Sequence, residues 1–473
     1  MEGVYGGQLK LLKDEDIGKI HLTSLRVFEE VGIQVNDPAD LEIFARHGAR
    51  VEGNIVKIPE ELVKRCLGSA PSEVTLFGRE DEHNLTLGGT RVHFGTGGTA
   101  LYVLDGDQRR KATLDDLRQI ARLVEHLNNI HFFLLPTYPN DLEIDVVDIN
   151  RFFAGLDNTS KHVMGGVYTE EGVDKVIRMA EMIAGGREAL KKRPFISMIT
   201  CVMDPLKLDK HYSTLMKKIA RVGIPVVTPA EPMTGATSPV TLAGNLVINN
   251  VDTLTGVILT QLVAPSSPVI YGSVATSTDL SDMKYLGGSI EMGLLNAASA
   301  QLAQFYSLPF YATAGMSDAK TIDAQSGYES ALTSLLCGLA GANFIHDAAG
   351  LMEFAKTVSF EKYVVDNEIL GMVMRAVKGI TVNEQTLAFE EIKRAGPGGN
   401  FVSSPHTRRF MRQEHYQPTL SDRRNRGDWE AKGAKETRQR AAERVKEILN
   451  LPGKRLDVAI REKVLNEFKE IRR

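Results

Sequence analysis

From about His93 onward the chain alternates between two hydrophobic periods. Short runs rich in β-branched and aromatic residues stand at Val92–Gly95, Phe132–Thr137, His162–Val167, Phe195–Val202, Pro225–Pro229, Pro268–Ser273, Pro309–Ala314 and Asn343–Asp347. Each is followed by a stretch with apolar positions at helical spacing: Leu114–Leu127, Ile149–Leu156, Glu171–Ala184, Asp209–Val222, Val240–Val263, Ile290–Tyr306, Tyr328–Leu339 and Phe360–Val377. The runs are apolar almost throughout, which predicts parallel strands buried on both faces. Eight such units predict an α/β fold, a closed (β/α)8 TIM barrel over residues 91–380. An open doubly wound sheet is the alternative. The Gly95-Thr96-Gly97-Gly98 turn approaches a dinucleotide-binding motif, but it leads into Leu101–Leu104, which reads as extended chain rather than the helix that motif needs.

Residues 1–90 read differently. Ile17, Ile20, Leu25, Val27 and Phe28 form a helical stripe within Leu12–Gly32, and a second helix runs through Leu41, Ile43 and Phe44. Strand-like pieces follow at Asn54–Ile58, Val74–Phe77 and Leu85–Leu87, so this part is expected to be a small α+β cap. Residues 381–473 are expected to form a helical extension, with helical spacing at Val382–Arg394, Thr437–Leu449 and Val458–Ile471 and a rigid turn at Gly396–Asn400. Such an arm suits contact with a partner subunit, and a homo-oligomer is expected.

Composition narrows the function. Hydrophobic residues make up 43% and charged residues 25%, and the formal charge is −4, so no basic excess points to nucleic acid. The three cysteines are far apart and the histidines scattered, which offers neither a disulfide framework nor a metal site. The apolar stretch Leu246–Pro268 contains Asn249, Asn250, Asp252 and Gln261 and reads as a buried helix leading into a strand, not a membrane span. The start of the chain does not read as a signal peptide, and a cytoplasmic protein is expected.

In a barrel of this kind chemistry gathers at the C-terminal ends of the strands. Those ends carry small residues, among them Gly95, Gly97, Gly98, Gly165, Gly166, Gly272 and Gly315, which leave room for a bulky group to approach. They also carry aromatics (Phe94, Tyr102, Tyr138, Tyr168, Tyr271, Tyr311) and carboxylates (Asp204, Glu231, Asp318, Asp347). Aromatic faces with carboxylates are what a quaternary ammonium ligand requires. Glu231, between Pro229 and Pro232, sits on a stiff stretch suited to an aimed side chain. His346, the one histidine late on a barrel strand, is suited to donating a proton or binding a substrate carboxylate. Glu231, His346 and Asp318 are the candidate catalytic residues.

Several segments resemble the trimethylamine methyltransferase superfamily: Gly95-Thr96-Gly97-Gly98, the run Ser317-Asp318-Ala319-Lys320 with Asp323, Gln325, Gly327 and Glu329, then Gly338–Asn343, and the tail Gly396–Phe401 with Pro405-His406-Thr407. The resemblance implies a barrel that moves a methyl group from a methylated amine to the cobalt of a separate corrinoid protein. Archaeal trimethylamine enzymes of this family carry pyrrolysine. This sequence has only standard residues, which places it with the non-pyrrolysine branch, whose members demethylate quaternary amines such as glycine betaine. No DxHxxG segment is present, so the corrinoid is expected on a partner and no cofactor in this chain. Under this reading Phe94, Tyr102, Tyr138 and Tyr311 form an aromatic cage, and Glu231 or Asp204 offsets the ammonium charge. His346 or Lys320 holds a substrate carboxylate, Asp347 adds to the substrate site, and Gly97, Gly98, Gly166, Gly272 and Gly315 face the corrinoid. A barrel lyase or isomerase using Glu231 as base, and a non-catalytic betaine-binding barrel, are the rival readings.

Overall fold

A computed structural model describes residues 3–473. Eight parallel strands close into a barrel: β1 (Arg91–Thr96), β2 (Phe132–Leu134), β3 (His162–Gly166), β4 (Ile196–Ile199), β5 (Val226–Ala230), β6 (Val269–Ser273), β7 (Phe310–Thr313) and β8 (Phe344–Ala349), with β8 pairing back to β1. Each strand is followed by its helix: α1 (Leu114–Glu125), α2 (Ile144–Leu156), α3 (Glu170–Ala184), α4 (Lys210–Val222), α5 (Leu242–Val263), α6 (Ile290–Phe305), α7 (Ala324–Ala340) and α8 (Phe360–Val377). All eight strand–helix units therefore stand where the hydrophobic pattern places them, and the open-sheet alternative is excluded by the β8–β1 pairing.

Local chemistry sets the helix ends. Thr113 and Asp116 exchange side-chain and backbone hydrogen bonds in a capping box that starts α1. α3, α4 and α7 stop at Gly185, Gly223 and Gly341, each left-handed, where a side chain would be strained. α5 is long and apolar enough to cross a membrane by composition, but most of its length is buried in the fold.

The N-terminal end of the barrel is sealed. Phe132, Leu134, Met164, Val227, Ile270, Tyr311 and Phe344 fill the interior in one cluster with Val74, Leu76, Leu85 and Leu87 from a hairpin that plugs it. His162 ties plug to barrel, one ring nitrogen meeting the Phe77 carbonyl at 2.9 Å and the other Ser197 Oγ at 2.8 Å. Strand Val4–Tyr5 adds antiparallel to β1, and Ile33–Val35 pairs with Lys207–Leu208 from the loop after β4. The first helix runs Asp14–Arg26 and continues as a π-helical turn through Val31.

Beyond α8 the chain makes two short helices, Glu384–Leu387 and Phe389–Ala395, where the sequence pattern suggested one. Helix Thr437–Leu449 then packs back on α8 and α1, and Val458–Glu467 on α3. Arg455 and Arg461 both reach the buried Asp157 carboxylate, at 2.6 and 3.0 Å, and fix this return path.

Candidate active site

With its lower end plugged, the barrel is open at the C-terminal ends of the strands. Glu231 follows β5 directly, and its side chain reaches water even though protein surrounds it. Cys201, Asp204, Tyr285, Tyr311 and Asp347 share this chamber, each close enough to Glu231 for their charges to interact. Burial and the negative charges of Asp204 and Asp347 push the Glu231 carboxyl up to about 7. The Cys201 thiol is pushed up to about 12 by burial and by Glu231 and Asp204, so it is not a thiolate nucleophile.

Glu231 is held through its backbone. Its N–H donates to Asp204 Oδ2 at 2.7 Å, and the N–H of Leu206 donates to Asp252 Oδ1 at 2.9 Å. The other oxygens, Asp204 Oδ1 and Asp252 Oδ2, meet no N–H or hydroxyl donor. Burial and Asp204 hold the Asp252 carboxyl well above the usual carboxylate range. A single proton on Asp252, donated to Asp204, satisfies both orphaned oxygens and leaves the pair with one negative charge.

His346 and Asp347 close the other side. His346 stacks on Tyr311 with ring centroids 4.0 Å apart and planes at 14°. Its Nδ1 lies 2.8 Å from the Ala312 carbonyl, which can only accept, so Nδ1 carries hydrogen. Its Nε2 is 3.1 Å from Asp347 Oδ2. Asp347 is a non-glycine residue at φ 60°, at an irregularity in the β8–β1 ladder, and its Oδ1 accepts from the Gly98 N–H at 3.1 Å. A strained, buried carboxylate at a strand end is the kind of feature that concentrates at functional sites.

The chamber gathers Glu231, Asp204, Tyr311, His346 and Asp347, and departs from the sequence reading elsewhere. Phe94 is fully buried on the outer face of β1, where its ring approaches Gly338 of α7, because strand alternation turns Gly95 inward instead. Tyr102 lies on a strand beyond the mouth, with the Arg109 guanidinium 4.2 Å over its ring, so that face is taken. Tyr138 packs edge-on against Tyr168 at 5.3 Å, and Tyr271 points away from the interior to donate to Asn250 Oδ1. The four-ring cage therefore does not assemble. Both oxygens of Asp318 accept backbone N–H groups, from Gly287 and Gly288 at 3.0 Å each, so Asp318 is a positioning residue rather than a catalytic one. Lys320 is exposed, donates to the Asp318 carbonyl at 2.7 Å, and stands over the Phe354 ring. His346 has both ring nitrogens in use within the protein, so it is not free to hold a substrate carboxylate.

The glycines are corrected too. A Cβ at Gly97 would strike Leu351 and Asp347, one at Gly272 would strike Pro229, and one at Gly315 would strike Ala348. These glycines admit neighbouring protein, not a ligand. Gly98 is half-buried against Leu134, and Gly166 alone of the five has real space, its nearest contact being Ile199 at 3.5 Å. The sequence reading passed over Tyr285, Cys201 and Asp252. Tyr285 comes from the hairpin Ser277–Asp279/Lys284–Leu286 that follows β6 over the mouth.

A closed (β/α)8 barrel, plugged below and opening into a chamber lined with carboxylates and aromatic rings, defines an enzyme-like small-molecule site at the strand ends. The sequence places it more narrowly: residues 5–473 match the family model described as trimethylamine methyltransferase (MTTB), and the chain belongs to that family. It is 37% identical to a glycine betaine methyltransferase of Desulfitobacterium hafniense, over 93% of this chain and 92% of that protein. It is 39% identical to trimethylamine methyltransferase MttB of the same species, over 94% of this chain and 90% of that one, and 39% identical to MttB of Methanosarcina thermophila, over 94% and 93%. The monomethylamine methyltransferase MtmB of Methanosarcina barkeri has the same overall fold, with a TM-score of 0.51 over 95% of this chain and 96% of that one, at 12% identity.

Proposed function

We propose that this chain takes a methyl group from a quaternary amine of about the size of glycine betaine and delivers it to the Co(I) of a separate corrinoid protein. The observation that carries this reading is the acidic chamber around the accessible Glu231, sealed at one end and open at the other. A quaternary nitrogen is already cationic, so a neutral tertiary amine can leave without being protonated. The protein's task is then to bind the cation, aim one methyl group at the mouth, and admit the acceptor. Ionised Glu231 supplies the counter-charge, and the Asp204–Asp252 pair holds the Glu231 backbone in place. The corrinoid supplies the nucleophile and comes from the partner.

The rim suits such a partner. Leu101, Met203, Leu280 and Met283 expose large apolar side chains on the loops after β1, β4 and β6. In this reading they, rather than the glycines, meet the corrinoid protein. The experiment is to incubate the protein and a reduced corrinoid protein with a quaternary amine and to measure the demethylated tertiary amine by NMR. Its formation only when both proteins are present is expected. Turnover of the amine without any corrinoid would overturn the reading.

We also infer that the chain associates with itself. α6 and α7 carry one acidic residue each and no basic one, and their outer faces expose Ile290, Phe305, Tyr328 and Leu332. The segment 380–402 exposes Ile380, Val382, Leu387, Phe389, Ile392 and Val402. A second copy of this chain supplies the apolar surface that each feature needs.

A further inference from the structure

The chamber's charges are one-sided. Glu231 and the singly charged Asp204–Asp252 pair converge on it, while Asp347 is paired with His346 Nε2. Arg151, Arg109 and Lys362, near the mouth, are engaged elsewhere. Arg151 is fully buried and donates to the carbonyls of Leu135, Thr137 and Gly166, closing the ends of β2 and β3. Arg109 pairs with Glu353 at 2.8 Å and covers Tyr102. Lys362 is buried against Asp366 and Ser330. Lys320 faces solvent and His346 spends both nitrogens on the fold.

We propose that, among quaternary amines, this chamber selects cations whose remaining substituent is uncharged, of the choline or tetramethylammonium kind, and disfavours betaines. The inference rests on the methyl-transfer reading and narrows its substrate. A betaine carboxylate would enter a site whose net charge is already negative and that offers it no Arg, Lys or free His. A choline-type cation meets only opposite charge. The transfer step balances with either amine. The C–N bond breaks with its electron pair left on nitrogen, which departs as a tertiary amine. The new C–Co bond takes its pair from Co(I), formally oxidised to Co(III). For choline the departing product is neutral, whereas for glycine betaine it is an anion leaving an acidic pocket.

Isothermal titration calorimetry on the full chain, with choline, tetramethylammonium and glycine betaine as probes, tests this without any corrinoid. The expected result is that choline binds about tenfold or more tightly than glycine betaine. Glu231→Gln should shrink that gap. Glycine betaine binding as tightly as choline, binding by none of the three, or a gap unchanged by Glu231→Gln would overturn the proposal. Methyl transfer from glycine betaine in preference to choline would sink this inference and leave the methyl-transfer reading standing. No transfer from any of the three to a Co(I) corrinoid protein would sink both.

Discussion

Glu231 is an acid surrounded by acids. Its carboxyl is raised to about 7 by burial and by Asp204 and Asp347, so near neutrality it is only partly ionised in the empty chamber. A bound cation favours the ionised form and lowers that value, so binding releases a proton. Affinity for a quaternary ammonium ion should therefore rise with pH up to about 7 and level off above it. Titrations across pH 5.5–8.5 (a range chosen to span the shift), in buffers of different ionisation enthalpy, check both the slope and the proton release. A pH-independent affinity would mean that Glu231 does not face the ligand. At this scale the sequence was partly legible. Glu231 stood out because two prolines stiffen its strand end, and Asp347 because it ends a strand. Asp252 was visible only as a polar interruption in an apolar helix, and Tyr285 sat in what read as a loop. Their roles come from distant elements that meet only in the fold. Phe94 was misplaced for a local reason, since a shift of one residue along a strand exchanges inside for outside.

The run Ser317–Glu329, one of the segments that carry the family resemblance, builds a latch. Asp323 and Ser326 cap α7 reciprocally, and Glu329, one turn on, accepts from Ser317 Oγ and from the Asp318 N–H. Asp318, thus fixed, holds Gly287 and Gly288 at the foot of the hairpin that carries Tyr285. Asp318→Ala should free this hairpin. The expected outcome is faster proteolytic cleavage at the exposed tip around Leu280 and Met283, and a rise in KM of about tenfold, with the melting temperature little changed. Cleavage at an unchanged rate would show that the latch is not what orders the hairpin. The barrel elements were legible because burial on both faces gives long uniform apolar runs. The short strands Ile33–Val35 and Arg50–Glu52 and the helix Glu60–Ser69 were missed because three-residue strands have no period to read and the helix shows only two turns of its stripe.

Over the whole molecule, plug, barrel and returning tail give the site a single open end, and the segment 380–402 stands apart from it. Its exposed apolar residues, and the nearly uncharged faces of α6 and α7, predict an oligomer measurable by light scattering. Phe389→Asp with Ile392→Asp should shift the mass towards that of one chain while far-ultraviolet circular dichroism is unchanged. An oligomer that persists in this variant would place the interface elsewhere. The methyl-transfer reading itself is tested most directly by mixing the purified chain with its Co(I) corrinoid protein and a panel of quaternary amines, and following the visible spectrum of the cobalt. Conversion to the methyl-Co(III) spectrum, dependent on this chain and fastest with choline or tetramethylammonium, is the predicted result. A Co(I) spectrum unchanged by every amine in the panel would contradict it.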